Sequence, residues 1–178
     1  MELNNVIIEQ RKKVQAELGA YGLDLRPVGN ASAVDLLYIS TRANKNVGPE
    51  AHRALDGATT ALGYSPLNYA ILSLNDIEAE LSSSTPSDLT LSAAVGLFVD
   101  ILDPYAIIIL HADILKIWPP SMNVEDVTLP SGRRVARGTV DGRVIAACTD
   151  FFASLENPEL KPLVWSQMLI ARKLKSSP

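Results

Sequence analysis

Acid–base chemistry needs a group that titrates near neutrality and a partner that orients it, and this chain has few of either. Its histidines are His52 and His111, and imidazole is the side chain whose ordinary pKa falls in that range. His111 follows the apolar run Ala106–Leu110, and Thr149-Asp150 follows a second run that ends at Cys148. If those runs are neighbouring strands, their loops bring His111, Asp150 and Thr149 together, and a carboxylate can then orient the imidazole as a general base requires. The plainer and favoured reading is a loop histidine and a helix-capping aspartate. No Gly-X-Ser-X-Gly elbow places a nucleophile, and no Walker or Gly-X-Gly-X-X-Gly loop is present to cradle a nucleotide. His52 lies two residues into an expected helix and reads as a surface residue. Cys148 is the single cysteine. One thiol makes no internal disulfide, zinc site or iron–sulfur cluster, so no cofactor is expected and a buried, inert thiol is the better reading.

Other residues suggest binding. Arg133, Arg134, Arg137 and Arg143 surround an Asp141-Gly142 turn, and Arg42 with Lys45 follow the first expected strand. Such a cluster suits a phosphate or an acidic partner. It equally suits a solvated hairpin whose charges discourage strand-to-strand aggregation, and this second reading is preferred. Lys and Arg number 16 against 20 Asp and Glu, a net charge of −4, which counts against unaided grip on a nucleic-acid backbone. Phe151-Phe152 reads as an aromatic pair in a loop, able to stack on bases or bury into a partner. At least one of the two is expected to seal the core, because adjacent residues point to different faces.

Elements that would position these groups follow from the hydrophobic pattern. With 178 residues, 47% of them hydrophobic and 20% charged, the chain fits a single domain over residues 1–178. Val6 to Leu18 reads as an amphipathic N-terminal helix. Ala33 to Ser40, Asn68 to Leu74 and Tyr105 to Leu110 read as buried strands. Helices are expected from Gly48-Pro49 to about Leu62, from Leu89 to Leu102, from Ala112 to Trp118 and from Asn157 to Lys173, with Ser82 to Asp88 as a loop. Arg133 to Val140 and Arg143 to Cys148 flank Asp141-Gly142 as a hairpin. Strands alternating with helices imply an α/β fold with a mostly parallel, helix-covered sheet, whose ligands sit at the carboxyl ends of the strands. The segments to search are Ser40 to Val47, Ser73 to Asp76, Leu110 to Asp113 and Cys148 to Ser154. No apolar run is long enough to span a bilayer and the N-terminus has no signal-peptide pattern, so no membrane association and a cytoplasmic location are expected.

The order of these pieces resembles the uracil-DNA glycosylase superfamily, most nearly its compact microbial branch with an iron–sulfur cluster. Asn46-Val47-Gly48-Pro49-Glu50-Ala51, leading to Leu62-Gly63-Tyr64, is similar to that branch's Phe-Val-Gly-Pro-Ala-Gly opening. Tyr69 to Asn75 resembles its second strand, and Phe98 to Leu110, with Asp103-Pro104 inside, its helix–Pro–strand unit. Arg137-Gly138, the strand to Cys148, then Leu155-Glu156-Asn157-Pro158 and a helix bearing Trp165, parallel its C-terminal region. The resemblance spans about Val34 to Arg172 and implies a three-layer α/β/α fold.

The family's functional residues are not matched. Ser40-Thr41-Arg42-Ala43-Asn44 stands where the resemblance implies a water-positioning Gly-Glu-Ala-Pro-Gly segment. Asp150-Phe151 stands where it implies the His-Pro whose imidazole stabilises the departing uracil, and a carboxylate there repels that anion. The four cluster cysteines are absent, and Asn75 alone corresponds to the family's uracil-reading Asn. The expectation is therefore a non-catalytic glycosylase-like domain that binds protein or nucleic acid. One alternative is a DNA-base glycosylase with a rearranged site built on Asp150, Asn75 and His111. Another is an assembly subunit, since Gly142 to Gln167 resembles in outline the small psi subunit of bacterial replicase clamp loaders.

Overall fold

The computed structural model describes residues 34–83 and 89–174, together with Ala16. Apart from Ala16, which is helical, the expected helix over Val6 to Leu18 lies outside the described residues.

Strand β1 (Leu36–Ser40) is buried along its whole length, as its unbroken apolar run requires. Helix α1 (Pro49–Ala61) has Pro49 in its first turn, where the missing N–H costs nothing. Strand β2 (Tyr69–Ser73) passes directly into helix α2 (Leu74–Ser83), which the sequence reading did not contain. Ser73 Oγ accepts the Asp76 N–H at 3.1 Å, so the last strand residue also caps the helix and no loop intervenes. Helix α3 (Leu91–Leu102) is capped by Thr90, whose side chain accepts from the Ala93 N–H at 3.1 Å. It ends at Asp103 in the left-handed region, φ 44°, and Pro104 prevents continuation. Strand β3 (Ala106–Ile109) follows, then a 3-10 turn over Ala112–Lys116 in place of the expected short helix.

Strand β4 (Asn123–Thr128) was also not anticipated. It turns through Pro130-Ser131-Gly132 into β5 (Arg134–Val140), with Gly132 at φ 84° closing the turn. The next turn, into β6 (Arg143–Ala147), has Asp141 at φ 49° and Gly142 at φ 77°, the two positive values that a tight hairpin of this hand demands. Helix α4 (Phe151–Glu156) then replaces the loop expected around Phe151-Phe152. The expected terminal helix is divided into a 3-10 turn (Pro158–Leu160), helix α5 (Lys161–Met168) and a second 3-10 turn (Leu169–Ala171). Asn157 Oδ1 accepts the Glu159 N–H at 3.1 Å, and Pro162 opens α5 one turn later.

The strands form one six-stranded sheet in the order β2-β1-β3-β6-β5-β4. β1 pairs in parallel with β2 and β3, and β3 with β6; β6–β5 and β5–β4 are antiparallel. The fold is α/β, but the sheet is mixed, which corrects the expectation of a mostly parallel one. The cause is local: β6 enters through a two-residue hairpin from β5, and β5 through a hairpin from β4. A hairpin can join only antiparallel neighbours.

Alternate residues of the parallel strands feed two apolar clusters, as the strand period requires. Leu36, Tyr38, Ala106 and Ile108 pack with Leu55 of α1, Phe151 and Phe152 of α4, and Val164 and Met168 of α5. Leu37, Ile39, Ile107 and Ile109 pack with Ile77 of α2 and Val95, Phe98 and Val99 of α3. Tyr38 is wholly buried, and its hydroxyl hydrogen-bonds Thr59 Oγ1 at 2.8 Å, which satisfies a polar group that would otherwise be costly there. Among the described residues no helix is long and apolar enough to cross a membrane.

Candidate functional site

The chain leaves β1 through α1 to reach β2 on one side, then returns past β1 to β3 on the other. This reversal is a topological switch point at the carboxyl ends of β1 and β3, the crevice position where open α/β sheets bind ligands. It is bordered by Ser40 to Arg42, by Leu110 to Asp113 and, from β6, by Cys148 to Phe152.

Backbone bonds stitch two of these borders together. His111 and Asp150 form an isolated antiparallel bridge, the Phe151 N–H donates to Leu110 O at 2.9 Å, and the Ala112 N–H donates to Thr149 O at 3.3 Å. His111 Nε2 consequently lies 3.6 Å from Asp150 Oδ2, with the two side chains 32% and 35% exposed. The structure thus joins His111 to Asp150, and the corner expected to hold a bare carboxylate contains an imidazole as well. Both groups are also structural caps. His111 Nδ1 accepts the Asp113 N–H at 3.1 Å, so the neutral ring carries its proton on Nε2, toward Asp150. Asp150 Oδ1 accepts the Ala153 N–H at 3.0 Å and starts α4. Thr149 is held by Gln167 of α5, whose Oε1 accepts the Thr149 N–H and whose Nε2 donates to Thr149 Oγ1, both at 2.9 Å.

Asn75 does not join this pair. It is exposed in the first turn of α2 at the end of β2, with β1 between its strand and β3. Its neighbour Asp76, which the sequence reading passed over, has the structural part: Asp76 Oδ2 accepts the Asn44 N–H at 2.9 Å. Asn44 Nδ2 in turn reaches Ile71 O at 3.5 Å, while Asn44 Oδ1 is buried without a hydrogen-bond partner among the described residues. The signal for Asp76 was Ser73, three residues before it, a strand-ending serine able to cap a helix.

Phe151 and Phe152 are 4% and 6% exposed, so both seal the core, as expected of at least one, and the alternative that they stack on bases or enter a partner is corrected. They meet edge to face, centroids 5.3 Å apart, in the core beneath the crevice. The Arg42 guanidinium lies over the Phe152 ring with Cζ 4.0 Å from its centroid, and the Arg42 N–H donates to Ser40 Oγ at 3.0 Å. Arg42 therefore spans from the end of β1 to α4 across the crevice. Lys45 is exposed in the 3-10 turn Asn44–Asn46. Cys148 is fully buried, and burial pushes its thiol up to about 12, which keeps it a thiol and not the nucleophilic thiolate.

Of the four arginines around the hairpin, Arg134, Arg137 and Arg143 are paired with carboxylates of the chain. Arg134 bonds Asp126 at 2.9 Å and Arg137 bonds Glu125 at 3.2 Å, both across the β4–β5 ladder. Arg143 bonds Asp103 at 2.8 Å and approaches Asp100 at 3.7 Å; Arg133 is exposed. The carboxylates opposite Arg134 and Arg137 come from β4. Val124, Val127 and Thr128 before Pro130-Ser131-Gly132 were the signal for that strand. Among the described residues, no three His, Cys, Asp or Glu side chains converge as a metal site needs. Away from the crevice, a groove of about 430 Å³ runs between Ser92 and Gly96 of α3 and the Trp118–Ser121 stretch, with Arg143 at its rim.

Compared with known proteins, the chain matches no family model and no curated sequence.

Proposed function

We propose that this chain is a uracil-DNA glycosylase-like domain of three-layer α/β/α build that performs no catalysis and acts by binding a protein partner. One observation carries the reading: the polar side chains at the carboxyl ends of the strands are committed to backbone N–H groups. His111 holds the Asp113 N–H, Asp150 the Ala153 N–H, Asp76 the Asn44 N–H and Ser40 the Arg42 N–H. A general base must present its lone pair to a substrate or a water; here His111 Nδ1 and Asp150 Oδ1 fasten a loop and a helix start, and Asp150 Oδ2 is turned to His111 Nε2 at 3.6 Å. The exposed Arg42 side chain lies over the Phe152 ring beside them. A protein partner is favoured over nucleic acid because Arg134, Arg137 and Arg143 face carboxylates of their own chain, on a chain of net charge −4. An assembly role of the kind suggested by the clamp-loader subunit fits the same reading.

The contact between His111 Nε2 and Asp150 Oδ2 favours a second reading, a glycosylase with a rearranged site. Purified protein incubated with single- and double-stranded oligonucleotides containing uracil separates the two. No base release and no oligonucleotide retention at low salt are expected. Release that His111→Ala or Asp150→Ala abolishes, with the fold intact by circular dichroism, establishes the rearranged enzyme in its place.

A further inference from the structure

We infer that β4 is a docking edge for an extended, positively charged segment of a partner protein, taken up as a seventh strand. The phase of the β4–β5 ladder supplies the first argument. The Leu129 N–H donates to Arg133 O at 2.9 Å, and the register then runs without interruption from Thr128↔Arg134 to Asn123↔Thr139. Hydrogen-bonded and non-hydrogen-bonded pairs alternate in such a ladder, so Val127, Glu125 and Asn123 turn their backbone groups toward β5. Val124, Asp126 and Thr128 turn theirs outward, and these outward groups have no backbone partner among the described residues. Three donors and three acceptors along one straight edge are what strand addition uses.

The second argument is what the edge lacks. Sheet edges are ordinarily blunted by proline, a bulge, very short length or charged side chains, lysine above all. Between Asn123 and Thr128 there is no proline and no lysine, the register has no bulge, and Val124 is 59% exposed. The charges present, Glu125 and Asp126, are both acidic, so they oppose an acidic or identical strand and not a basic one. At the opposite margin β2 is buried throughout, with the Asn44–Asn46 turn against it.

Charge selects the occupant. Arg137 engages Oε1 of Glu125 and Arg134 engages Oδ2 of Asp126; the second oxygen of each carboxylate takes no protein donor among the described residues, and both side chains are more than 60% exposed. A second copy of β4, paired antiparallel through the same outward groups and centred on the strand, sets Asp126 opposite Asp126 of its copy, and like charges directly opposite are destabilising. A strand with two adjacent basic residues meets both carboxylates, and β-branched residues on either side of them meet Val124 and Val127.

The test uses the full chain and a capped, fluorescein-labelled peptide, Thr-Val-Lys-Arg-Val-Thr, followed by anisotropy and by backbone amide shifts. Saturable binding that weakens with salt and moves the amides of Val124, Asp126 and Thr128 is expected. Val124→Pro deletes an outward N–H and leaves the β4–β5 bonds intact, and lowers affinity by about tenfold. Glu125→Gln with Asp126→Asn keeps the backbone edge, lowers affinity by about fivefold and flattens the salt dependence. The inference is overturned by a wild-type chain that ignores the peptide, or by affinity unchanged in both variants. It is equally overturned by equal binding of a Glu-Glu peptide, by an oligonucleotide that displaces the peptide, or by a dimer that Val124→Pro dissolves. The inference rests on the binding-only reading, yet the two fail separately: absent peptide binding removes the docking edge, and base release removes the absence of catalysis.

Discussion

At the carboxyl ends of β1, β3 and β6, polar side chains cap the chain's own backbone, whereas along β4 alternate backbone groups and most side chains are turned outward. The crevice has the location of a ligand site and the contents of a junction: caps on a 3-10 turn and on α4, an arginine on a buried phenylalanine, a glutamine clasp on Thr149. Among the described residues, the β4 edge has outward donors and acceptors without backbone partners and two half-used carboxylates. Position in a fold marks where function can sit; unsatisfied bonding capacity marks where a partner gains by arriving.

The largest test of this contrast is on stability. Phe151→Ala, beneath the crevice, is expected to cost about 3–5 kcal/mol in urea unfolding. Val124→Thr on the edge should stay within about 0.5 kcal/mol, and equal shifts of the two midpoints would erase the distinction. Titration sharpens it next. Burial raises Cys148 from an ordinary 9.0 to about 12, and Tyr38, Tyr64 and Tyr69 are raised above 10.0, mainly by burial. Each group is held in its protonated form by the fold, so its contribution is full below the unfolded value and is lost as pH rises toward the folded one. Stability should therefore fall from about pH 9 upward, by about 2 kcal/mol from Cys148 alone near pH 10.5. Cys148→Ala should remove that first stage in pH-dependent denaturation and leave the steeper tyrosine stage. The smallest effect compares two aspartates. Asp150→Ala, which removes a helix cap, should cost about 1 kcal/mol. Asp126→Ala breaks an exposed ion pair and should cost a few tenths, about 0.3 kcal/mol. Thermal melts at two salt concentrations read both, since only the second effect should fade with salt.

Legibility followed burial. β1, β2 and β3 stood out because parallel strands covered on both faces must be continuously apolar, and Asp141-Gly142 announced its hairpin because few other residues accept two positive φ values. Helix α2 was hidden because Ser73 ends a strand and caps a helix at once. Helix α4 has six residues, too few for a helical period to declare itself, so Phe151-Phe152 looked like a loop. β4 was hidden because nearly all of its side chains are exposed, leaving no alternation to read. Missing β4 had consequences: the partners of Arg137 and Arg134, Glu125 and Asp126, went unseen, and the sheet looked more parallel than it is. The pairing of His111 with Asp150 was readable, since both residues follow apolar runs that end at the same side of the sheet.

The amino-acid order by itself determined which segments must be interior, where the chain must turn, and that a lone cysteine and two histidines restrict the chemistry. Those are properties of single residues and near neighbours, and they survive without knowledge of what packs against them. Only the tertiary structure decided which polar groups remain unsatisfied. A hydrogen bond or ion pair is a relation between residues distant in the chain, as Arg143 with Asp103 or Thr149 with Gln167 illustrate, and its formation depends on strand order and register.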